Sequence, residues 1–163
     1  MPLTSRVRNG LVFLASVLAM ACAYYFELVM GLEPCPLCIT QRVFICLAGF
    51  IALAAAIHNP AITGIRIYGF FVLLASTAGA YFSGRQLWLQ SLPPDQVPAC
   101  GPPLEYIMQN FPFMEAMQVL LRGDGNCSEV SWMFLGLSMP AWVLIIFAGL
   151  ALFAVSNLFK QTR

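Results

Sequence analysis

Four long apolar runs dominate the chain, at about 11–30, 39–57, 65–82 and 140–159. Each is continuous rather than alternating, and each approaches the roughly 20 residues that a helix needs to cross a bilayer. A membrane β-barrel would instead show short alternating segments. The runs are rich in Ala, Leu and Phe, so the pattern predicts an all-α membrane protein. Its expected form is an antiparallel bundle of four transmembrane helices, one membrane domain over residues 1–163. The first run continues past Cys22 to Met30, too far for the apolar core of a signal peptide. Between the runs lie a short loop at 31–38, a connection at 58–64 and a long loop at 83–139.

The long loop has a pattern of its own. Ile107, Phe111, Met114, Met117 and Leu121 follow one another at spacings of 4, 3, 3 and 4, one apolar stripe of a helix interrupted by Pro112. This predicts a short amphipathic helix, lying on the membrane surface or packed on top of the bundle. Gly123-Asp124-Gly125-Asn126 then reads as a flexible hinge before Cys127.

Composition agrees with the pattern. Of 163 residues, 60% are hydrophobic and 9% charged, against about 25% charged in soluble domains. That excludes a soluble enzyme and a disordered chain, and a net charge of +1 leaves no basic face for nucleic acid. Arg6 and Arg8 precede the first run, Arg66 lies by the 58–64 connection, and Lys160 and Arg163 follow the last run. All seven acids fall at the opposite ends or loops. By the positive-inside rule both termini face the cytoplasm, and the loops 31–38 and 83–139 face outward. Tyr24, Tyr25, Trp88, Trp132 and Trp142 fall near the outer boundary, as an aromatic belt does. Glu27, one turn from the outer end of the first run, is expected to reach interfacial water, and Gly64, Gly69 and Gly79 to allow close helix packing.

The same topology sorts the six cysteines. Cys22 and Cys46 fall inside spans and read as small packing residues. Cys35, Cys38, Cys100 and Cys127 face outward, where in a bacterial cell disulfides persist. Cys35-Pro36-Leu37-Cys38 opens the second span, and a helix N-terminus favours the thiolate, the reactive species in exchange. Arg42 lies one turn beyond Cys38. A charge just inside a span is costly and needs a partner, either a Cys38 thiolate or the oxygen of a bound electron acceptor. Cys100 and Cys127 stand 27 residues apart. They could form a structural staple or an exchangeable disulfide; Cys100, with no span beside it, is accessible to a soluble protein. Zinc on the four outer cysteines is a rival, though the second pair lacks short spacing and the lone His58 lies on the cytoplasmic side. A non-enzymatic four-helix scaffold with structural disulfides or zinc is the alternative outside redox chemistry.

Two outward cysteine pairs, the first opening a span with an arginine four residues on, resemble the DsbB family of disulfide-generating membrane proteins. The resemblance runs through Gly31-Leu32-Glu33-Pro34-Cys35-Pro36-Leu37-Cys38, Gln41-Arg42, Trp88-Leu89-Gln90 and Trp132-Met133-Phe134-Leu135-Gly136-Leu137-Ser138-Met139-Pro140. It implies a quinone-dependent thiol oxidase of the bacterial inner membrane. A reduced DsbA-like partner of the periplasm would attack a Cys100–Cys127 disulfide at Cys100. Electrons would pass through a Cys35–Cys127 disulfide to the Cys35–Cys38 pair. Cys38 would hand them to ubiquinone or menaquinone of the respiratory pool, with Arg42 stabilising the charge and no metal involved. Relatives often carry a histidine in the segment where this chain has Gln86, so Gln86 is a candidate quinone contact with different proton chemistry.

Overall fold

The computed structural model describes residues 4–101 and 104–159. Lys160 and Arg163, used above to orient the chain, and Pro102 beside Cys100 lie outside them.

Four helices are long and apolar enough to cross a membrane: α1 (Ser5–Leu28), α2 (Pro36–His58), α3 (Ile62–Gln90) and α6 (Met139–Leu158). Two short helices, α4 (Leu104–Asn110) and α5 (Phe113–Arg122), and a 3₁₀ turn at Gly125–Ser128 fill the long loop. A two-residue hairpin, β1 (Met133–Phe134) with β2 (Leu137–Ser138), leads into α6. Its turn residues Leu135 and Gly136 have φ of 52° and 78°, both in the left-handed region. That is the conformation of a type I′ turn, in which glycine is the favoured residue.

The sequence explains the helix starts. Cys35 is extended and caps α2, its sulfur accepting from Cys38 N, while Pro36 supplies the first helical residue. Proline suits that position because the missing N–H would have no helical partner there. α3 begins three residues nearer the N-terminus than the apolar run and extends eight beyond it, to Gln90. Polarity ended the predicted span at residue 82, but the helix continues and carries Gln86 and Trp88 on a rigid element.

The helices pack in the order α1–α2–α3–α6. Their core is small: Ala48, Ala52, Ala75 and Ala154 surround Val12, Ile45, Val72, Phe147 and Leu150. Phe147 is fully buried over Gly79, where an added Cβ would collide with its ring, so this glycine sets the approach of α3 to α6. α1 meets α6 through Arg8, which donates to Ser156 Oγ at 2.6 Å and lies 5.2 Å from the Phe153 ring centroid. Toward the cysteine end a cavity of about 510 Å³ separates the same two helices.

The apolar stripe of the long loop does not form one face. Pro112 divides it into α4 and α5; Ile107 is buried, while Phe111, Met114 and Leu121 are exposed. The face of α5 that packs inward carries Ala116, and α5 sits on the first turns of α2, where Thr40 Oγ1 donates to Leu120 O at 2.9 Å. Arg85 Nε on α3 donates to Arg122 O at 2.8 Å and holds the end of the same helix.

Candidate active site at the cysteine end of the bundle

All six cysteines are thiols. The start of α2, the last turns of α3 and the 3₁₀ turn bring three of them together. Cys35 Sγ lies 2.8 Å from Cys38 Sγ and is also hydrogen-bonded to Cys127. Cys127 is fully buried against Leu37 and Leu89, which close the site from water. Cys35 therefore stands between the two pairs, in contact with one member of each.

The electrostatics of Cys35 and Cys127 differ in sign. The hydrogen bond from Cys35 holds the Cys127 thiol below the ordinary cysteine value, and backbone donors at Leu37 and Asp124 add to this. The Cys35 thiol is pushed far up, first by its hydrogen bond with Cys127, then by that with Cys38 and by burial. Cys35 thus keeps its proton and supports a thiolate on its neighbour.

Gln86 is buried and faces both sulfurs of the first pair. Its Nε2 lies 3.4 Å from Cys35 Sγ and 3.4 Å from Cys38 Sγ. The orientation of this amide is set by Gln41, whose Nε2 donates to Gln86 Oε1 at 2.8 Å. Gln86 lines a small cleft in which Glu33, Gln90 and Glu129 stand among apolar residues such as Phe26 and Trp132.

Arg42 does not pair with a cysteine. Its guanidinium forms an ion pair with Glu27 of α1, donates to Ala23 O at 3.2 Å and lies 5.4 Å from the Tyr24 ring centroid. Glu27 does not simply reach interfacial water; it meets the cost of placing Arg42 in an apolar run. Two opposite charges, each inside an apolar run near the same boundary, were the signal that could have joined them. Cys38, Gln41 and Arg42 line one wall of the 510 Å³ cavity; Ala19, Phe26, Trp132, Trp142 and Val143 are among its apolar walls. Cys22 lies on that wall and is exposed rather than buried, whereas Cys46 lies on the opposite face, in the cavity formed by Phe13, Met20 and Phe50.

Cys100 is exposed. The segment predicted as a hinge is instead a tight clasp. Gly125 N donates to Ala99 O at 3.2 Å, and Asp124, buried, accepts from Gly101 N at 3.2 Å. Nothing in the spacing of Asp124 could have revealed that it reaches Gly101. Among the described residues no group of three or more His, Cys, Asp or Glu side chains is placed to hold a metal ion.

Fold and site together define a class: a multi-pass helical membrane protein with three cysteine thiols gathered where its helices meet the long loop. The family model described as "Disulfide bond formation protein DsbB" matches residues 5–157. A disulfide bond formation protein B of Hahella chejuensis is 52% identical over 147 residues, covering 90% of this chain and 89% of the relative. One of Marinobacter nauticus is 49% identical over 161 residues, covering 99% and 94%. One of Methylococcus capsulatus is 50% identical over 154 residues, covering 94% and 93%. The chain belongs to the DsbB family of disulfide bond formation proteins, and it is a disulfide-forming oxidoreductase.

Proposed function

We propose that this protein reoxidises a DsbA-like dithiol oxidase of the periplasm and passes the electrons to a respiratory quinone, ubiquinone or menaquinone. It would do so in the bacterial inner membrane, with both termini cytoplasmic. One observation carries the reading: Cys38 touches Cys35, and through it the Cys127 side, while also lining the large apolar cavity between α1 and α6. A thiol placed so can exchange on one side and deliver electrons on the other.

The cavity fits a quinone by its chemistry. Its walls are apolar and aromatic, suiting a flat ring, and Arg42 and Gln41 would be the polar side chains that hold a quinone there. Bound there, a quinone supplies an acceptor of two electrons and two protons.

The protein's own residues carry the relay. The partner's thiolate attacks Cys100 of a Cys100–Cys127 disulfide; the S–S bond breaks and Cys127 leaves as a thiolate, the form its surroundings favour. Cys127 then attacks Cys35 of an oxidised Cys35–Cys38 pair. A Cys35–Cys127 bond forms and Cys38 departs as a thiolate at the cavity wall, with the Gln86 amide donating to it. The partner's second thiolate attacks its own mixed disulfide and releases Cys100. Cys100 attacks Cys127, restoring the Cys100–Cys127 bond and leaving Cys35 and Cys38 reduced. Re-forming the Cys35–Cys38 bond gives up two electrons and two protons, the same number the partner loses, and a quinone held beside Cys38 and Arg42 would take them. Arg42 holds negative charge near Cys38 while this happens.

The test mixes purified protein, reduced partner and quinone, and follows partner thiols and quinol. One disulfide formed per quinol supports the reading; partner oxidation with no quinol would overturn it.

A further inference from the structure

The clasp around Cys100 has more contacts than a loop crossing needs. Asp124 Oδ2 accepts from Gly101 N at 3.2 Å and from Asn126 Nδ2 at 3.1 Å. Asp124 Oδ1 accepts from Asn126 N at 3.1 Å and lies 3.7 Å from Cys127 Sγ. Asn126 Nδ2 donates to Gly101 O at 3.3 Å, and Gly125 N to Ala99 O at 3.2 Å. The backbone on both sides of Cys100 is thus tied to the turn that carries Cys127. Gly125 makes room for this, since a Cβ there would stand 3.0 Å from Cys100 N and 3.0 Å from Cys100 Sγ.

These bonds exist with Cys100 and Cys127 both as thiols. A clasp present while the pair is open does what the disulfide does when closed: it keeps two segments, over twenty residues apart in sequence, side by side. We propose that Asp124 is a positioning residue of the second cysteine pair, holding the Cys100 segment on the Cys127 turn while the covalent link is open. The proposal rests on the relay described above, in which that link opens and must close again in every cycle. Held thiols lose less chain freedom on closing, so the clasp favours the Cys100–Cys127 disulfide. Asn126 shares the task by reaching the Gly101 carbonyl.

The alternative role for Asp124 is to cap the 3₁₀ turn through Asn126 N. Asparagine caps as well as aspartate. Its amide, however, presents N–H groups toward Gly101 N and Asn126 Nδ2, where only an acceptor bonds. Asp124→Asn therefore keeps the cap and breaks the clasp.

The experiment equilibrates the full-length protein with glutathione buffers in a Cys35→Ser background, without partner or quinone. Closing the pair oxidises two thiols and reduces one glutathione disulfide to two glutathiones. Acid quenching, alkylation and peptide mass spectrometry then give the fraction of Cys100–Cys127 disulfide. Asp124→Ala and Asp124→Asn are both expected to lower the closing constant about tenfold or more, given the loss of hydrogen bonds to a carboxylate. Tenfold corresponds to a rise of about 30 mV in reduction potential. An Asp124→Asn constant equal to the parent's would reduce Asp124 to a turn cap and overturn the proposal. Should Asp124→Ala fail to fold, Asn126→Ala, which removes the Gly101 carbonyl contact, is expected to lower the constant, and no change would count against the clasp. A failure of the quinone reading would show in the wild-type partner assay and leave this equilibrium untouched.

Discussion

Replacing Gln86 by leucine should cost stability and catalysis for two separable reasons. Gln41 and Gln86 are each buried, and one hydrogen bond of 2.8 Å joins them. Gln86→Leu leaves Gln41 Nε2 without that acceptor, a loss of about 1–3 kcal/mol. Removing both amides in Gln41→Leu/Gln86→Leu leaves no orphan, so most of that stability should return. Catalysis follows a different account. The Gln86 amide faces Cys35 and Cys38 at 3.4 Å each, and hydrogen bonds to a charged group contribute about 1.5–3 kcal/mol. Losing them when Cys38 leaves as a thiolate slows turnover roughly ten- to hundredfold. The double variant should therefore melt near the parent temperature and stay at least as slow as Gln86→Leu, since Gln41 also lines the cavity. Thermal unfolding in detergent and steady-state quinone reduction measure the two effects side by side. A double variant that regains both stability and rate would show that Gln86 only packs the site, and would refute its role toward the sulfurs.

Arg42→Ala should lower quinone reduction more than partner binding, with Arg42→Lys intermediate because lysine keeps the charge but loses the planar fork; unchanged quinone KM and kcat in Arg42→Ala would remove Arg42 from the site. Glu27→Gln should destabilise by about 1–2 kcal/mol, as its ion pair with Arg42 is partly exposed, and an unchanged melting temperature would deny the pair a structural part. In a chain retaining only Cys35 and Cys127, ultraviolet thiolate absorbance should show one thiol ionising below the ordinary cysteine value and the other far above it; Cys35→Ala should move Cys127 upward, and two thiols titrating together at the ordinary value would contradict the coupling. Because the folded value of Cys127 is depressed, its thiolate adds stability above the unfolded value and loses it as pH falls through the folded value. Cys127→Ser should form an adduct between Cys100 and an oxidised partner, visible on a non-reducing gel, since no Cys127 thiol remains to release it by re-forming the loop disulfide and only the partner's second thiol can; an adduct with Cys100→Ser instead would reverse the assignment of the receiving cysteine.

The spans and the first cysteine pair were legible because they depend on local pattern. Apolar runs of bilayer length show helices directly, and Cys35-Pro36 marks a helix start through capping and a missing N–H. Gln86 was visible as a residue but not as a neighbour of both sulfurs, because polarity alone ended the third span at residue 82. The stripe from Ile107 to Leu121 marked an amphipathic helix and Pro112 its break, but spacing did not show how the two pieces face: Ile107 is buried and Met114 exposed. The residues from Gly123 to Asn126 misled in the opposite sense. Glycine beside Asp and Asn signals a turn, and only the fold shows the turn closed upon Gly101. Charges were legible singly, but the pairing of Glu27 with Arg42 depends on which faces of α1 and α2 meet.

The central claim is that electrons cross from the second cysteine pair to the first through Cys35 and Cys127. A single turnover with reduced partner and quinone, quenched in acid at successive times and mapped by mass spectrometry, tests it most directly. A peptide linked Cys35–Cys127 should appear before quinol and decay as quinol rises. Quinol formed with no such peptide at any time, and with Cys100–Cys127 intact throughout, would contradict the relay.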